Sequence, residues 1–176
     1  LCPALVAAFT SNYVASLFGV VHENVVLSVH WNISIVTCFK VVCMGILFGL
    51  VGQLFAFLLG KIRFISRLYI KNPYLRIFVM GSGLALLFFV CGQGRYSGLG
   101  TNLVQSALNG GTIYPWDWVC KMLFTVFCLS AGFQGGEVTP LFAIGASLGL
   151  VLARLFGLPL ALGAALGYVA VFGAGT

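Results

Sequence analysis

Long apolar runs, broken at a few points by polar clusters, set the rhythm of this chain. A helix that crosses the hydrocarbon core of a bilayer needs about 20 predominantly apolar residues. Ala4 to Val21 is the first candidate span. It carries Thr10, Ser11 and Asn12 together, and such residues in a membrane helix are expected to face protein rather than lipid. The loop predicted next holds His22, Glu23, His30 and Trp31, with Trp31 as an interfacial anchor. Ile33 to Leu59 is the longest run and is broken only by Lys40. It exceeds the thickness of the bilayer core, which predicts a strong tilt. Lys40 is expected to snorkel to the outer interface. Gly45, Gly49 and Gly52 fall on about one face and predict close approach of a neighbouring helix. A basic connection, Lys61 to Arg76, then leads to a third span, Tyr74 to Gly92.

The second half has a different pattern. The stretch from Gly92 to Thr101 is too rich in glycine to stay helical. Leu103 to Leu108 is apolar but too short to cross a membrane, and Asn109-Gly110-Gly111 is a turn signal. Pro115-Trp116-Asp117-Trp118 reads as a helix start at the interface, with Asp117 placed to favour the helix dipole. Trp118 to Ala131, Leu141 to Phe156 and Leu160 to Gly173 are short runs separated by glycine and proline. Non-helical backbone at membrane depth survives only where protein or water surrounds it. In transporters such broken helices build the substrate site near the midplane. The expected fold is therefore an all-α, polytopic membrane protein with tilted and broken helices.

Composition agrees. The 176 residues are 61% hydrophobic and 7% charged, with a mean hydropathy of +1.11. About 25% charge is usual for a soluble domain, so the natural solvent here is lipid. The net charge of +6 is concentrated at Lys61, Arg63, Arg67, Lys71 and Arg76, with no acid among them. Basic segments beside membrane spans mark the cytoplasmic face, which places Lys61 to Arg76 inside and argues against nucleic acid as a partner. The cysteines (Cys2, Cys38, Cys43, Cys91, Cys120 and Cys128) are scattered through apolar segments and form no C-x-x-C pair. They are expected to be buried and reduced, with no zinc site, disulfide framework or other cofactor implied. The first residue is Leu1, no signal peptide is recognisable, and Thr176 lies inside an apolar run, so the chain reads as part of a longer membrane protein.

The sharpest chemistry sits in Gly132 to Phe142, GFQGGEVTPLF, which contains Glu137, one of three acidic residues in the chain. Thr139-Pro140 predicts a helix start, with Thr139 as cap and Pro140 at the first helical position. Gly135 and Gly136 allow the chain to bend close to a bound ion. The helix N-terminus presents unpaired N–H groups and partial positive charge, a ready anion site. Leu141 and Phe142 are the expected backbone donors, with the Thr139 hydroxyl beside them and Val138 within the same turn. Glu137 next to an anion makes sense if its carboxyl can be protonated: a neutral acid donates to the anion, and an ionised one occupies the positive site itself. One residue that exchanges proton for anion couples their fluxes, and an ionisable residue at membrane depth is a candidate functional group. The alternative is a solvated Glu137 that merely favours the helix dipole. Gly145 and Gly149 form a G-x-x-x-G face for tight packing. Arg95 either satisfies backbone carbonyls or steers anions at a vestibule. His22, Glu23 and His30 fit a solvated loop better than a metal site. An intramembrane enzyme using Glu137 or Asp117 lacks a second carboxylate or a His-Glu-x-x-His pair, so no enzyme activity is expected.

The run Gly132 to Gly149, GFQGGEVTPLFAIGASLG, resembles an anion-binding signature of the CLC family of anion channels and antiporters. In its G-G-E-V-T-P form it is similar to the bacterial CLC-type fluoride/proton antiporters. Val36 to Gly52, Tyr96 to Thr101 and Leu1 to Val21 also resemble segments of that family, so the likeness covers nearly all of residues 1–176. It implies a CLC-like inverted-repeat fold of which this chain is most of the second repeat, with the first repeat and the C-terminal end lying outside it. It implies fluoride export coupled to proton import, with a chloride-selective channel or chloride/proton antiporter as the alternative. The implied anion and proton pathway runs through Gly135, Gly136, Glu137, Val138, Thr139, Leu141 and Phe142. The family's external gating glutamate belongs to the first repeat, and a late pathway tyrosine would lie beyond Thr176. A homodimer in the cell membrane, each subunit with its own pathway and contacts near Ala4 to Val21, completes the implied picture.

Overall fold

The computed structural model describes residues 2–18, 34–90, 94–109 and 111–175. The predicted loop with His22, Glu23, His30 and Trp31 lies outside them, as do Cys91, Gly92 and Gly110. Every regular element among the described residues is an α-helix. In chain order they are α1 (Cys2–Leu17), α2 (Ile35–Tyr69), α3 (Pro73–Val90), α4 (Thr101–Leu108), α5 (Asp117–Ala131), α6 (Val138–Phe156) and α7 (Leu160–Gly175). Three of them, α2, α3 and α6, are long and apolar enough to cross a membrane.

The long apolar run does not stop at Leu59. α2 has 35 residues, about 52 Å at 1.5 Å per residue, and continues through Lys61, Arg63 and Arg67. The expected basic connection from Lys61 to Arg76 is thus corrected. Only residues 70–72 join α2 to α3; Lys61, Arg63 and Arg67 are carried on the end of α2, Arg76 on the start of α3, and Lys71 alone of the five lies in the connection. The physical reason is that Ile62, Phe64, Ile65 and Leu68 continue the apolar run between the charges: Ile62 packs against the core, while Phe64, Ile65 and Leu68 stay exposed, as lipid allows. Ser66, one turn beyond Ile62, is buried and donates to the Ser130 carbonyl at 2.9 Å, pinning this end of α2 to the end of α5.

α6 is the hub. Gly145 faces the Gly167 carbonyl of α7, and Gly149 faces the Gly163 carbonyl; a Cβ at either position would overlap backbone. The expected G-x-x-x-G face is therefore real, and Gly163 and Gly167 answer it from the other side. The glycines of α2 behave differently. A Cβ on Gly52 would meet Ala174 at 2.8 Å, but Gly45 and Gly49 have nothing within 4 Å. Close approach holds at Gly52 alone.

One core cluster joins Met44, Phe48 and Phe55 of α2 to Val126, Leu141, Ile144 and Val171. A second joins Tyr96, Leu103, Ala107, Phe124, Ala143 and Leu150. The outer faces of α2 and α3 stay apolar and exposed at Ile46, Leu50, Phe57, Phe78, Leu86 and Phe89. Exposed apolar area on this scale needs lipid or protein against it. α1 packs on no other helix among the described residues. Its Thr10 is exposed and donates to the Val6 carbonyl at 2.6 Å, so the backbone of its own helix satisfies the hydroxyl. Ser11 is also exposed, so within this chain neither hydroxyl faces protein as expected. Lys40 is half-buried. Its Nζ donates to the Phe156 carbonyl at 2.6 Å, capping the C-terminal end of α6. Among the cysteines expected to be buried, Cys38 is exposed, and Cys43, Cys120 and Cys128 are half-buried; these four are free thiols.

Candidate anion site at the start of helix α6

α5 ends at Ala131 because Gly132 takes a left-handed conformation, φ 107°, which a residue with a side chain seldom adopts. Residues 133–137 form the turn, and α6 begins at Val138 with Glu137 as its N-cap. The helix thus starts two residues before the expected position. Pro140 sits at the third helical position rather than the first, where its missing N–H still costs no helical bond. Thr139 is inside the helix and is not its cap. The Leu141 N–H already donates to the Glu137 carbonyl at 3.2 Å, and so begins the helical ladder. Leu141 and Phe142 are therefore corrected as backbone donors. Helix geometry leaves the N–H groups of Val138 and Thr139 as the pair without an intrahelical acceptor.

The named residues divide over three directions. Gly135, Gly136 and Pro140 line a cavity of about 220 Å³ together with Tyr96, Lys121, Thr125 and Cys128. Thr139 and Phe142 line a second cavity of about 150 Å³ with Thr101, Gln105 and Tyr168. Phe142 stacks on Tyr168 at 4.1 Å and leans on Phe172 at 4.9 Å, which fixes one wall. Leu141 is fully buried in the core instead. Glu137 lines neither of these two cavities. Its Oε1 accepts from Arg63 Nη2 of α2 at 3.3 Å, and the two side chains are 43% and 39% exposed. Both readings of Glu137, protonatable at membrane depth or solvated, meet the same finding: within this chain the carboxylate is half-exposed and salt-bridged.

Lys121 has no part in the sequence reading, yet its side chain is 2% exposed. Nζ donates to the Tyr96 carbonyl at 3.0 Å and the Gly98 carbonyl at 2.7 Å. Those carbonyls are available because the glycine-rich stretch is not helical. Gly100, at φ 84°, brings that stretch so close that a Cβ would meet both Lys121 Cε and Ala143 at 2.8 Å. The signal in the sequence was a single lysine inside an apolar run, the pattern that marks a functional or structural charge at membrane depth.

Asp117 does open α5, as expected, but it is not at a wet interface. It is 0% exposed. Oδ2 accepts from Arg95 Nη2 at 2.7 Å and the Tyr114 N–H at 2.9 Å, and Oδ1 accepts from the Tyr96 hydroxyl at 2.7 Å. Arg95 also donates to the Thr112 carbonyl at 2.7 Å and lies over the Tyr114 ring. Of the two roles considered for Arg95, the geometry favours the structural one. The hydrogen bond to Asp117 raises the Arg95 pKa above its ordinary value. Burial, and then the bond to Asp117, push the Tyr96 phenol up, so it stays protonated and donates.

The likeness to known proteins is extensive. The family model for the voltage gated chloride channel matches residues 1–176. A chloride/fluoride channel protein from Pseudomonas syringae pv. tomato is 42% identical over 98% of this chain and 39% of its own length. An H(+)/Cl(-) exchange transporter, ClcA, from Citrobacter koseri is 26% identical over 67% of this chain and 26% of its own length. The crystal structure of a CLC-type fluoride/proton antiporter superposes with a TM-score of 0.94 at 46% identity, over 99% of this chain and 44% of that one. The chain therefore spans less than half the length of the relatives it matches. All helices found here belong to that CLC fold, broken segments included. With its whole length matched, the chain belongs to the voltage gated chloride channel family, the CLC family that its Gly-Gly-Glu-Val-Thr-Pro motif resembles.

Proposed function

We propose that the protein carrying this chain moves small anions across a membrane, exporting fluoride against an inward flow of protons, with the start of α6 as part of the anion site. One observation carries this reading. The N-terminus of α6 opens at Val138 and Thr139 with no side-chain cap on it, and the chain's ionisable Glu137 stands beside it. Helix N-termini favour anions through their unpaired N–H groups and dipole. Lys121 adds a positive charge on the wall of the cavity that Gly135 and Gly136 line.

Fluoride is small, strongly hydrated and a strong acceptor. A site rich in N–H and O–H donors replaces its water better than one shaped for a larger anion. The names of the two similar fluoride-handling proteins support this assignment. Chloride is the second reading, favoured by the name of the more distant Citrobacter koseri relative.

The further parts of the proposal rest on the CLC likeness. The chain supplies most of the second of two inverted repeats. The protein is a homodimer, with α1 at the contact and a separate pathway in each subunit. It resides in the cell membrane with Lys61 to Arg76 on the cytoplasmic side. The apolar, exposed face of α1, with Phe9, Tyr13 and Leu17, supports its use as a contact.

The test is Glu137→Gln in the gene product that carries this chain, reconstituted in liposomes. The variant should lose most of the proton uptake that accompanies fluoride efflux. Wild-type fluoride flux and coupling in this variant would refute the role given to Glu137.

A further inference from the structure

An ionised carboxylate at an N-cap normally takes the nearby helix N–H groups for itself. Glu137 is the N-cap of α6 and makes no such side-chain bond. Its Oε1 is turned instead to Arg63 Nη2 on α2, at 3.3 Å. We propose that Arg63 is a positioning residue for Glu137: it holds the ionised carboxylate against α2, off the α6 N-terminus, and lets it go when the carboxyl takes up a proton. The inference rests on the transport reading above and names a control that it lacks.

Several features fit a reversible hold. A single contact between half-exposed side chains is weak and exchangeable, unlike a buried bidentate pair. The base of Arg63 is nevertheless fixed. The single Ser66 Oγ proton is shared between the Arg63 carbonyl at 3.1 Å and the Ser130 carbonyl at 2.9 Å, which ties α2 to the last turn of α5. Two other cations near the turn are committed elsewhere. Arg76 of α3 donates through Nε to the Ala131 carbonyl at 3.2 Å, and Lys121 of α5 donates to the Tyr96 and Gly98 carbonyls. Asp117, the other acid among the described residues, is bound to Arg95. Arg63 is the cation that the structure pairs with Glu137.

The proton comes from water and returns to water. On protonation the carboxyl loses its charge and with it the attraction to Arg63, and the side chain becomes able to donate a hydrogen bond at the helix start.

The experiment is the pH profile of fluoride efflux from liposomes holding the gene product that carries this chain. Arg63→Gln should move the midpoint upward. Arg63→Met, which keeps the stem and drops the charge, is a second variant and should do the same. Arg63→Lys should stay nearer the wild type. On a Glu137→Gln background, Arg63→Gln should move nothing. Fluoride efflux in the wild type with an unmoved midpoint in the Arg63 variants would overturn the inference alone, as would an equal shift when residue 137 is Gln. No fluoride efflux from the wild type would overturn the transport reading and this inference together.

Discussion

Asp117 and Lys121 hold charge where water is excluded, and each is stabilised differently. Asp117 has an opposite charge and two further donors, so its lone pairs are well used. Lys121 has only backbone carbonyls, which shape the glycine-rich stretch around it. Removing one partner of a buried ion pair costs about 3–5 kcal/mol, because the other charge stays behind. Arg95 is partly exposed, so Asp117→Ala is expected near the lower bound, about 3 kcal/mol. Thermal unfolding in detergent measures it, and a loss below about 1 kcal/mol would mean that Arg95 rehydrates without cost. Glu137 belongs to the other class. Half-exposed and singly bonded, it contributes little to stability, which suits a group that has to move. Glu137→Gln should therefore leave the unfolding temperature near the wild-type value while it changes coupling. A large fall in stability would place Glu137 in the scaffold instead.

At the scale of elements, helix α6 gains its position from what its glycines lack. Its contact with α7 is backbone against backbone at Gly145 and Gly149. Gly145→Ala is expected to destabilise by about 1–3 kcal/mol through overpacking. Gly45→Ala, at a helical site with nothing within 4 Å, should be neutral or stabilising by about 0.5–1 kcal/mol through backbone entropy. Comparing the two unfolding midpoints checks the packing directly, and equal effects would contradict it. This contrast also shows what the sequence could tell. Glycine spacing marked both faces alike, but only contact with α7 separates the glycines in use, Gly52, Gly145 and Gly149, from the idle Gly45 and Gly49. The apolar runs were legible as helices because their period needs no partner. The end of α2 was not, since Lys61, Arg63 and Arg67 look like a loop until Ser66 between them bonds to the end of α5. The helix start at Val138 was misplaced because Thr-Pro is a strong local signal, and the turn from Gly132 overrode it. The partner of Glu137 lies 74 positions away in sequence, and no local pattern points to it.

Across the whole molecule, one end of α2, the turn after α5 and the start of α6 converge. Ser66 and Arg63 reach the turn from α2, Arg76 reaches it from α3, and Lys121 faces its glycines across a cavity. Cations thus meet the turn that leads into α6, and its N-cap acid is drawn aside by Arg63. In the proposed reading, that arrangement suits a small anion in a setting where lipid and protein limit water. The apolar outer faces of α2 and α3 supply that setting. The most direct measurement is anion efflux from liposomes holding the gene product that carries this chain, loaded in parallel with fluoride or chloride. The account predicts fluoride efflux well above chloride. Chloride efflux equal to or above fluoride would contradict it.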